Sequence, residues 1–404
     1  MNQGDLLLER IQKANQDRRE DMLMRKYKAM SESAFRFFRA TPSLFYQDAP
    51  RILFSPDYPT CWVCADLHLE NIGSYRGENK LVYFDINDFD EALLAPCTVD
   101  IARLVTSLFV AAPLLKHSPE TSRQLASQFI SAYNQMLLRS KPRSIERQTA
   151  TGILKEFLDQ ATEHTRKGLI ARLTRGSGLK RHLHTNEKRL LALKGNERED
   201  VWNWLQNALQ NQGDYQLRDV AFRIAGTSSI GLNRYAALVE SPNRRLHLLD
   251  IKATRPSAAE PYVGINQPHW PDQATRIVTL QNRLQDVPPA KLWTLAGPDE
   301  EYYVVRYLQP QADRMNLAAK HVRGTQRLGQ LLETMAQLTA SAHLRSGGRQ
   351  GSATADELIA FANNPYWTSE LLAWAETYAQ QVQQDHAQFK SALKAGWPKL
   401  TESH

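Results

Sequence analysis

Four short β-type runs, VAFRIAG, RYAALVE, LHLLDIKA and EYYVVRYLQ, are confined to residues 219–308, and the chain on either side of them is patterned mainly for helix. Turn residues separate the runs, and one helix-like segment, DQATRIVTLQNRLQ, interrupts them. Such confinement predicts an α+β chain in which a small sheet-rich lobe is set into a larger, mainly helical body. Residues 1–45 read as a basic helical arm ending in MSESAFRFFRATPSLFY, and residues 46–91 as strand and loop. DIARLVTSLFVAAPLL then opens a helical region, apolar at Ile101, Leu104, Val105 and Leu108, whose patterning persists to about residue 210. Helix returns at Gln326 with Leu328, Leu331, Leu332, Met335 and Leu338 on one face, breaks at AHLRSGGRQGS and resumes as two more helices. The divisions expected are 1–45, 46–212, 213–310 and 311–404.

Chemistry concentrates in WVCADLHLENIGSYRGENKLVYFDINDFDE at residues 62–91, which carries Asp66, His68, Asn71, Asp85, Asp88 and Asp90 between two apolar runs. Carboxylates and an amide oxygen are hard ligands suited to Mg2+, and a carboxylate at a strand end can accept a hydroxyl proton. In DLHLEN, Asn71 follows Asp66 at the interval of a kinase catalytic loop, where the Asp takes the acceptor proton and the Asn holds a metal. The form D-L-H-x-x-N after an apolar strand resembles aminoglycoside and choline kinases. Asp66 and His68 are therefore the catalytic candidates, with Asp66 as the base. Asn71 with Asp85 or Asp88 would hold the metal. Asp85 has the expected interval from Asn71, Asp88 opens a DF dipeptide, and the spacing does not choose between them.

The sheet-rich lobe offers the complementary half of a nucleotide site. IAGTSSIG places Gly226, Ser228, Ser229 and Gly231 in a G-x-G-x-x-G-like loop with its middle glycine replaced, and such a loop lets backbone N–H groups approach phosphates. Lys252 ends the run LHLLDIKA and is placed to bind phosphate. The following helix contains no Glu to pair with it, leaving Gln281, Asp272 or Glu260 as substitutes. EYYVVRYLQP leads into a hinge near Leu308 and Gln309, whose backbone could meet an adenine edge, while Arg306 is as well explained by a structural ion pair.

In a kinase the glycine loop and lysine precede the catalytic loop, whereas here they follow it. A circular permutation reconciles the order, with the small β-rich lobe inserted after the catalytic-loop region. The residues also resemble the bacterial domain-of-unknown-function family 2252. MSESAFRFFRAT, ADLHLENIG, FDINDFDEA, GTSSIG, Lys252 and AHLRSGG carry this resemblance over nearly the whole chain, with Ala65 and Ser228 standing where the family pattern has glycine. It implies kinship without a reaction. The expectation is a bilobal, protein-kinase-like, permuted phosphotransferase that uses ATP and Mg2+ on a small-molecule hydroxyl acceptor. A nucleotide-binding pseudokinase and an AMP transferase are the alternatives.

A calcineurin-type phosphoesterase fits less well, because FDIND and GNER lack the glycine and histidine of the later metal blocks. An EF-hand is excluded by Phe89 at the fifth loop position. Cys61, Cys64 and Cys97 are too few for a disulfide framework, and the C-x-x-C lies within a strand-like run, so packing explains it. Fifty basic against 43 acidic residues give a net charge of +7, consistent with an anionic nucleotide and requiring no nucleic acid. No apolar run approaching 18 residues is evident, so neither a membrane span nor a secretion signal is expected, and the cytoplasm is the default. The basic stretch 166–194 reads as a solvated helical face or a dock for an anion. His343 and Arg345 read as a helix end packed beneath the catalytic loop.

Overall fold

The computed structural model describes residues 3–310, 315 and 324–398, so that residues 311–314 and 316–323 of the expected hinge lie outside the described residues. The arm comprises α1 (Gln3–Lys13), α2 (Glu20–Ser31), α3 (Ala34–Ala40) and α4 (Pro42–Asp48). Ser33 caps α3 by accepting from the Arg36 N–H, and Pro42 starts α4 where no helical N–H is needed. Phe35, Phe37, Phe38, Leu44, Phe45 and Tyr46 are all buried in the main core, each worth roughly 1.5–3 kcal/mol. The arm is therefore an integral wall of the body.

Two antiparallel pairs follow, β1 (Thr60–Val63) with β4 (Leu93–Pro96) and β2 (Ile72–Arg76) with β3 (Val82–Ile86). Helices α5 (Thr98–Leu115), α6 (Pro119–Arg139), α7 (Gly152–Glu163) and α8 (Arg166–Leu173) come next. Helix α5 is long and apolar enough to cross a membrane by length and composition, a run not expected from the sequence, and 78% of it is buried inside the fold. Every residue from Thr98 to Ala111 is buried, Asp100 and Arg103 included, because the helix is packed against α3, α6 and α13 (Trp367–Lys394) within the core.

The helical patterning to residue 210 does not hold throughout. Gly176 and Gly178 adopt positive φ, and the chain from 174 to 193 forms turns with the short strands β5 (Thr174–Arg175), β6 (His182–Leu183) and β7 (Leu190–Leu191) before α9 (Gly195–Asn211). The basic residues of this stretch therefore do not share one helical face.

The small lobe is a six-stranded antiparallel sheet ordered β11-β12-β10-β9-β8-β7, built from β8 (Gln216–Arg223), β9 (Arg234–Glu240), β10 (Leu246–Ala253), β11 (Leu292–Ala296) and β12 (Tyr302–Tyr307) with β7 at the edge. Strand β11, LWTLA, was not among the four runs recognised from sequence. Alternation along the strands divides two faces. One carries Phe222, Tyr235, Val239, Leu249, Ile251, Tyr303 and Val305, covered by Val201, Leu205 and Leu209 of α9. The opposite face carries Ala221, Ala236, Leu238 and Leu248, over which Leu169, Leu183 and Leu190 pack. Helix α10 (Gln273–Leu284) sends Ile277, Leu280 and Leu284 into the main core. Helices α11 (Thr325–Ser346), α12 (Ala355–Ala362) and α13 complete the body.

Candidate active site

Asp66 stands on a turn that leaves the end of β1, and Asp100 fixes that turn. The Cys64 and Ala65 N–H groups donate to the two Asp100 carboxylate oxygens at 2.9 and 2.8 Å. His343 Nε2 lies 3.2 Å from Asp100 Oδ2, and its Nδ1 faces the Tyr133 hydroxyl at 2.8 Å. Ala65 takes φ +58°, a left-handed conformation that alanine adopts less readily than glycine. Arg103, one helical turn after Asp100, donates through Nε and Nη2 to Asp66 Oδ1 at 3.1 and 2.8 Å. Its guanidinium is wholly buried and lies 4.0 Å from the Phe38 ring centroid. Burial pushes the Asp66 carboxyl up to about 6 against the pull of Arg103, and Glu91 and Asp88 add to the rise.

Asn71 joins the two halves of the acidic segment. Its Nδ2 donates to the Asp66 carbonyl at 2.9 Å and to the Asp88 carbonyl at 3.3 Å. Its Oδ1 is buried without a hydrogen-bond partner. An orphaned hard acceptor beside the half-buried Asp88 fits a divalent cation that also takes phosphate and water oxygens. Among the described residues no three His, Cys, Asp or Glu side chains gather into an all-protein metal cage. Asp85 is directed elsewhere. It accepts from the Ile86 N–H at 2.8 Å and lies 3.5 Å from Arg345 Nη2, and burial pushes its carboxyl up to about 6.

His68 is buried beside the arm. Its Nε2 faces Arg39 Nε at 3.2 Å and its Nδ1 faces the Glu70 N–H at 3.1 Å, of which a neutral ring accepts one. Arg39 also pairs with Glu70.

The raised carboxyls give a stability prediction. Unfolded aspartates release their protons near pH 4, whereas folded Asp66 and Asp85 keep theirs to about 6. The folded chain thus binds more protons between these values, and stability falls as pH rises from about 4 to 6, by on the order of 3 kcal/mol for each group. Urea midpoints measured across this window are expected to fall less steeply in Asp85→Asn. An unchanged slope would show that Asp85 titrates as an ordinary carboxylate.

The loop 226–231 joins β8 to β9, with Gly226 at φ +73° and Gly231 at φ +89°. The arm holds it from behind. Arg18 Nη1 donates to the Ile230 carbonyl at 2.7 Å, the Arg19 N–H to the Gly231 carbonyl at 2.9 Å, and Lys26 Nζ to the Ser228 carbonyl at 2.9 Å. Ser229 is buried, and its carbonyl accepts from the Leu232 N–H. A Cβ on Gly231 would approach Arg18 Cβ to 3.0 Å, a tight contact that adds to the demand its φ makes for glycine.

Lys252, near the end of β10, forms an ion pair with Asp90 of FDINDFDE. The three substitutes considered from sequence have interactions of their own: Gln281 donates to Gln285, Asp272 caps α10 by accepting from the Thr275 N–H, and Glu260 lies near Arg276. At the hinge the Leu308 N–H is spent on the Leu248 carbonyl at 2.8 Å, and Gln309 clasps the Arg76 backbone through both amide atoms. Arg306 donates to Asp250 at 3.2 Å. Sequence reasoning missed Arg103 and Asp100 as supports of Asp66; their signal was the i, i+3 spacing in DIAR. It also missed the arm's hold on the glycine loop, for which local spacing carries no signal.

Residues 18–392 match the model of a family described as an uncharacterized protein conserved in bacteria, DUF2252. No curated protein and no solved structure matches the chain.

Proposed function

The chain belongs to the bacterial DUF2252 family, and from that premise and the site's geometry we propose that it is an ATP- and Mg2+-dependent transferase of kinase-like, circularly permuted architecture, acting on a small-molecule hydroxyl. One observation carries the reading: the Lys252 ammonium of the sheet meets the Asp90 carboxylate of the acidic segment across 162 residues of chain. This contact ties the lysine-bearing strand to the acidic segment that also carries Asp66, Asn71 and Asp88. A glycine loop between the lobe's first two long strands, a lysine on the third and a helix after it follow the parts list of a kinase small lobe.

In this reading Asp66 receives the acceptor proton. Arg103 occupies Oδ1 and holds the carboxylate in orientation, leaving Oδ2 toward the acceptor. Lys252 exchanges Asp90 for a nucleotide phosphate. Bound Mg2+, held by Asn71 Oδ1 and Asp88 with phosphate oxygens, would neutralise charge on the transferred group.

Calorimetry with MgATP tests the proposal. Wild-type protein is expected to bind, and Lys252→Ala to bind at least about tenfold more weakly, roughly 1.4 kcal/mol. Asp66→Ala is expected to keep binding and lose turnover. No heat of binding in the wild type would end the reading.

A further inference from the structure

A cavity of about 580 Å³ opens at the hinge end of the sheet, where the small lobe meets the body. Leu169 of α8, Leu248 of β10 and Leu308 give it an apolar lining. The opposite wall is the β2–β3 hairpin of the body, which is pinned beside the hinge. Gln309 Oε1 accepts from the Arg76 N–H at 2.7 Å and its Nε2 donates to the Arg76 carbonyl at 2.9 Å, and the same carbonyl accepts from the Ala290 N–H at 3.0 Å. Small-molecule pockets run from roughly 300 to 1,000 Å³, so the volume suits a ligand of that size.

The rest of the lining is cationic. Arg76 and Lys80 come from the hairpin, Arg166 opens α8, and Arg245 and Lys291 immediately precede β10 and β11. Glu78 is the one acid among the described residues that line the cavity, and among the described residues none of the five cations forms an ion pair. His247 registers the excess. Burial, and after it the charges of Arg166, Arg245 and Lys291, push its imidazole down to about 4. Its ring stacks on Tyr307 with centroids 4.6 Å apart, so an aromatic surface borders the cations. A concavity lined by one sign of charge concentrates the opposite ion.

Lys252 lies apart from this cavity. It stands four residues beyond Leu248 on the same strand and the same face, about 13 Å along it. Between the two, Asp250, 1% exposed, gathers an arginine cluster, with Arg234 at 2.6 Å, Arg223 at 2.8 Å and Arg306 at 3.2 Å. This row of committed charges separates the cavity from the Lys252–Asp90 pair.

We propose that the cavity is a second binding site, separate from the transfer site, for a small-molecule phosphate monoester with an apolar or aromatic body. A monoester carries close to two negative charges at neutral pH, which answers an excess of cations that one carboxylate would leave uncompensated. The three guanidinium groups offer paired N–H donors to its oxygens, and the two lysines add point charges. The body lies over Leu169, Leu248 and Leu308. Because the cations come from the hairpin on one side and the lobe on the other, the bound phosphate bridges the two across the hinge. The inference does not depend on the transferase reading.

Calorimetric titration of the full chain with naphthyl phosphate, naphthoate, naphthol and inorganic phosphate tests this, in wild type, in the double variant Arg166→Gln/Lys291→Gln and in Lys252→Ala. Wild type is expected to bind naphthyl phosphate with a Kd below about 1 mM, and the other three probes at least about tenfold more weakly. Arg166 and Lys291 are exposed, so the double variant is expected to keep its unfolding midpoint and its MgATP affinity while losing at least about tenfold in naphthyl phosphate affinity. Lys252→Ala is expected to leave naphthyl phosphate binding within twofold. No saturable binding of naphthyl phosphate up to about 10 mM overturns the site, as does equal affinity in the double variant. Naphthoate bound as tightly overturns the assignment to phosphate. Competition with MgATP together with loss in Lys252→Ala puts the probe in the transfer site and overturns the inference. A protein that binds naphthyl phosphate through these cations but takes up no MgATP upholds it and removes the transferase reading.

Discussion

Asp66→Asn is expected to reduce turnover by roughly a hundred- to ten-thousandfold, the range general-base catalysis contributes, while MgATP affinity changes only a few-fold. The substitution keeps the shape and one acceptor oxygen, so Arg103 retains a partner at Oδ1 while the proton acceptor is lost. It also leaves the Arg103 charge without its carboxylate in a fully buried site, which costs stability, and the variant is best assayed well below its unfolding midpoint. The pH profile separates base from scaffold. Because burial raises the Asp66 carboxyl to about 6, wild-type turnover is expected to climb through pH 6 and level off above pH 7. Asp66→Asn loses that limb. Removing the positive charge at Arg103 takes away the influence that lowers the pKa, so Arg103→Met moves the limb to higher pH. A wild-type profile flat from pH 5 to 8, or an Asn variant that turns over normally, would remove Asp66 from the role of base.

What could be read from the sequence was local. The Asp66-to-Asn71 interval, the apolar helix of 326–345 and the glycines at φ-demanding positions are written in spacings of a few residues, and the structure carries helix at Thr325–Ser346 and positive φ at Gly226 and Gly231. What could not be read depends on distant pairing. The partner of Lys252 was sought on the next helix, yet Asp90 lies 162 residues upstream, and only the packing of sheet against body selects it. The arginine cluster is similarly hidden. Arg223, Arg234 and Arg306 come from three strands and converge on Asp250 only when strand alternation and register are both known. Strand β11 escaped because LWTLA is short and half exposed, at the sheet edge between Pro288–Pro289 and Gly297–Pro298. At 174–193 the helical pattern continues on either side of Gly176 and Gly178, and the positive φ of these two glycines turns the chain instead.

Asp100→Ala is expected to destabilise the fold by about 3–5 kcal/mol, the cost of stripping a buried charged acceptor from its donors. Both carboxylate oxygens are committed, one to the Ala65 N–H and the other to the Cys64 N–H and His343, and no water reaches a side chain that is 1% exposed. Deletion therefore strands two backbone donors and the imidazole together. Asp100→Asn keeps one acceptor oxygen but turns an amide toward the other N–H, so it falls between Ala and wild type. The two backbone donors also hold Ala65 in a left-handed conformation that alanine resists by roughly 1–2 kcal/mol. When the clamp is lost the turn relaxes and Asp66 leaves its orientation, so turnover falls further than MgATP affinity. His343→Ala removes only the third donor and is expected to cost less. Combined with Asp100→Ala it adds less than the sum of the two, because both act on one network. Urea midpoints of the four variants give the energies. An Asp100→Ala protein within 1 kcal/mol of wild type would mean that the turn beneath Asp66 is held by packing alone.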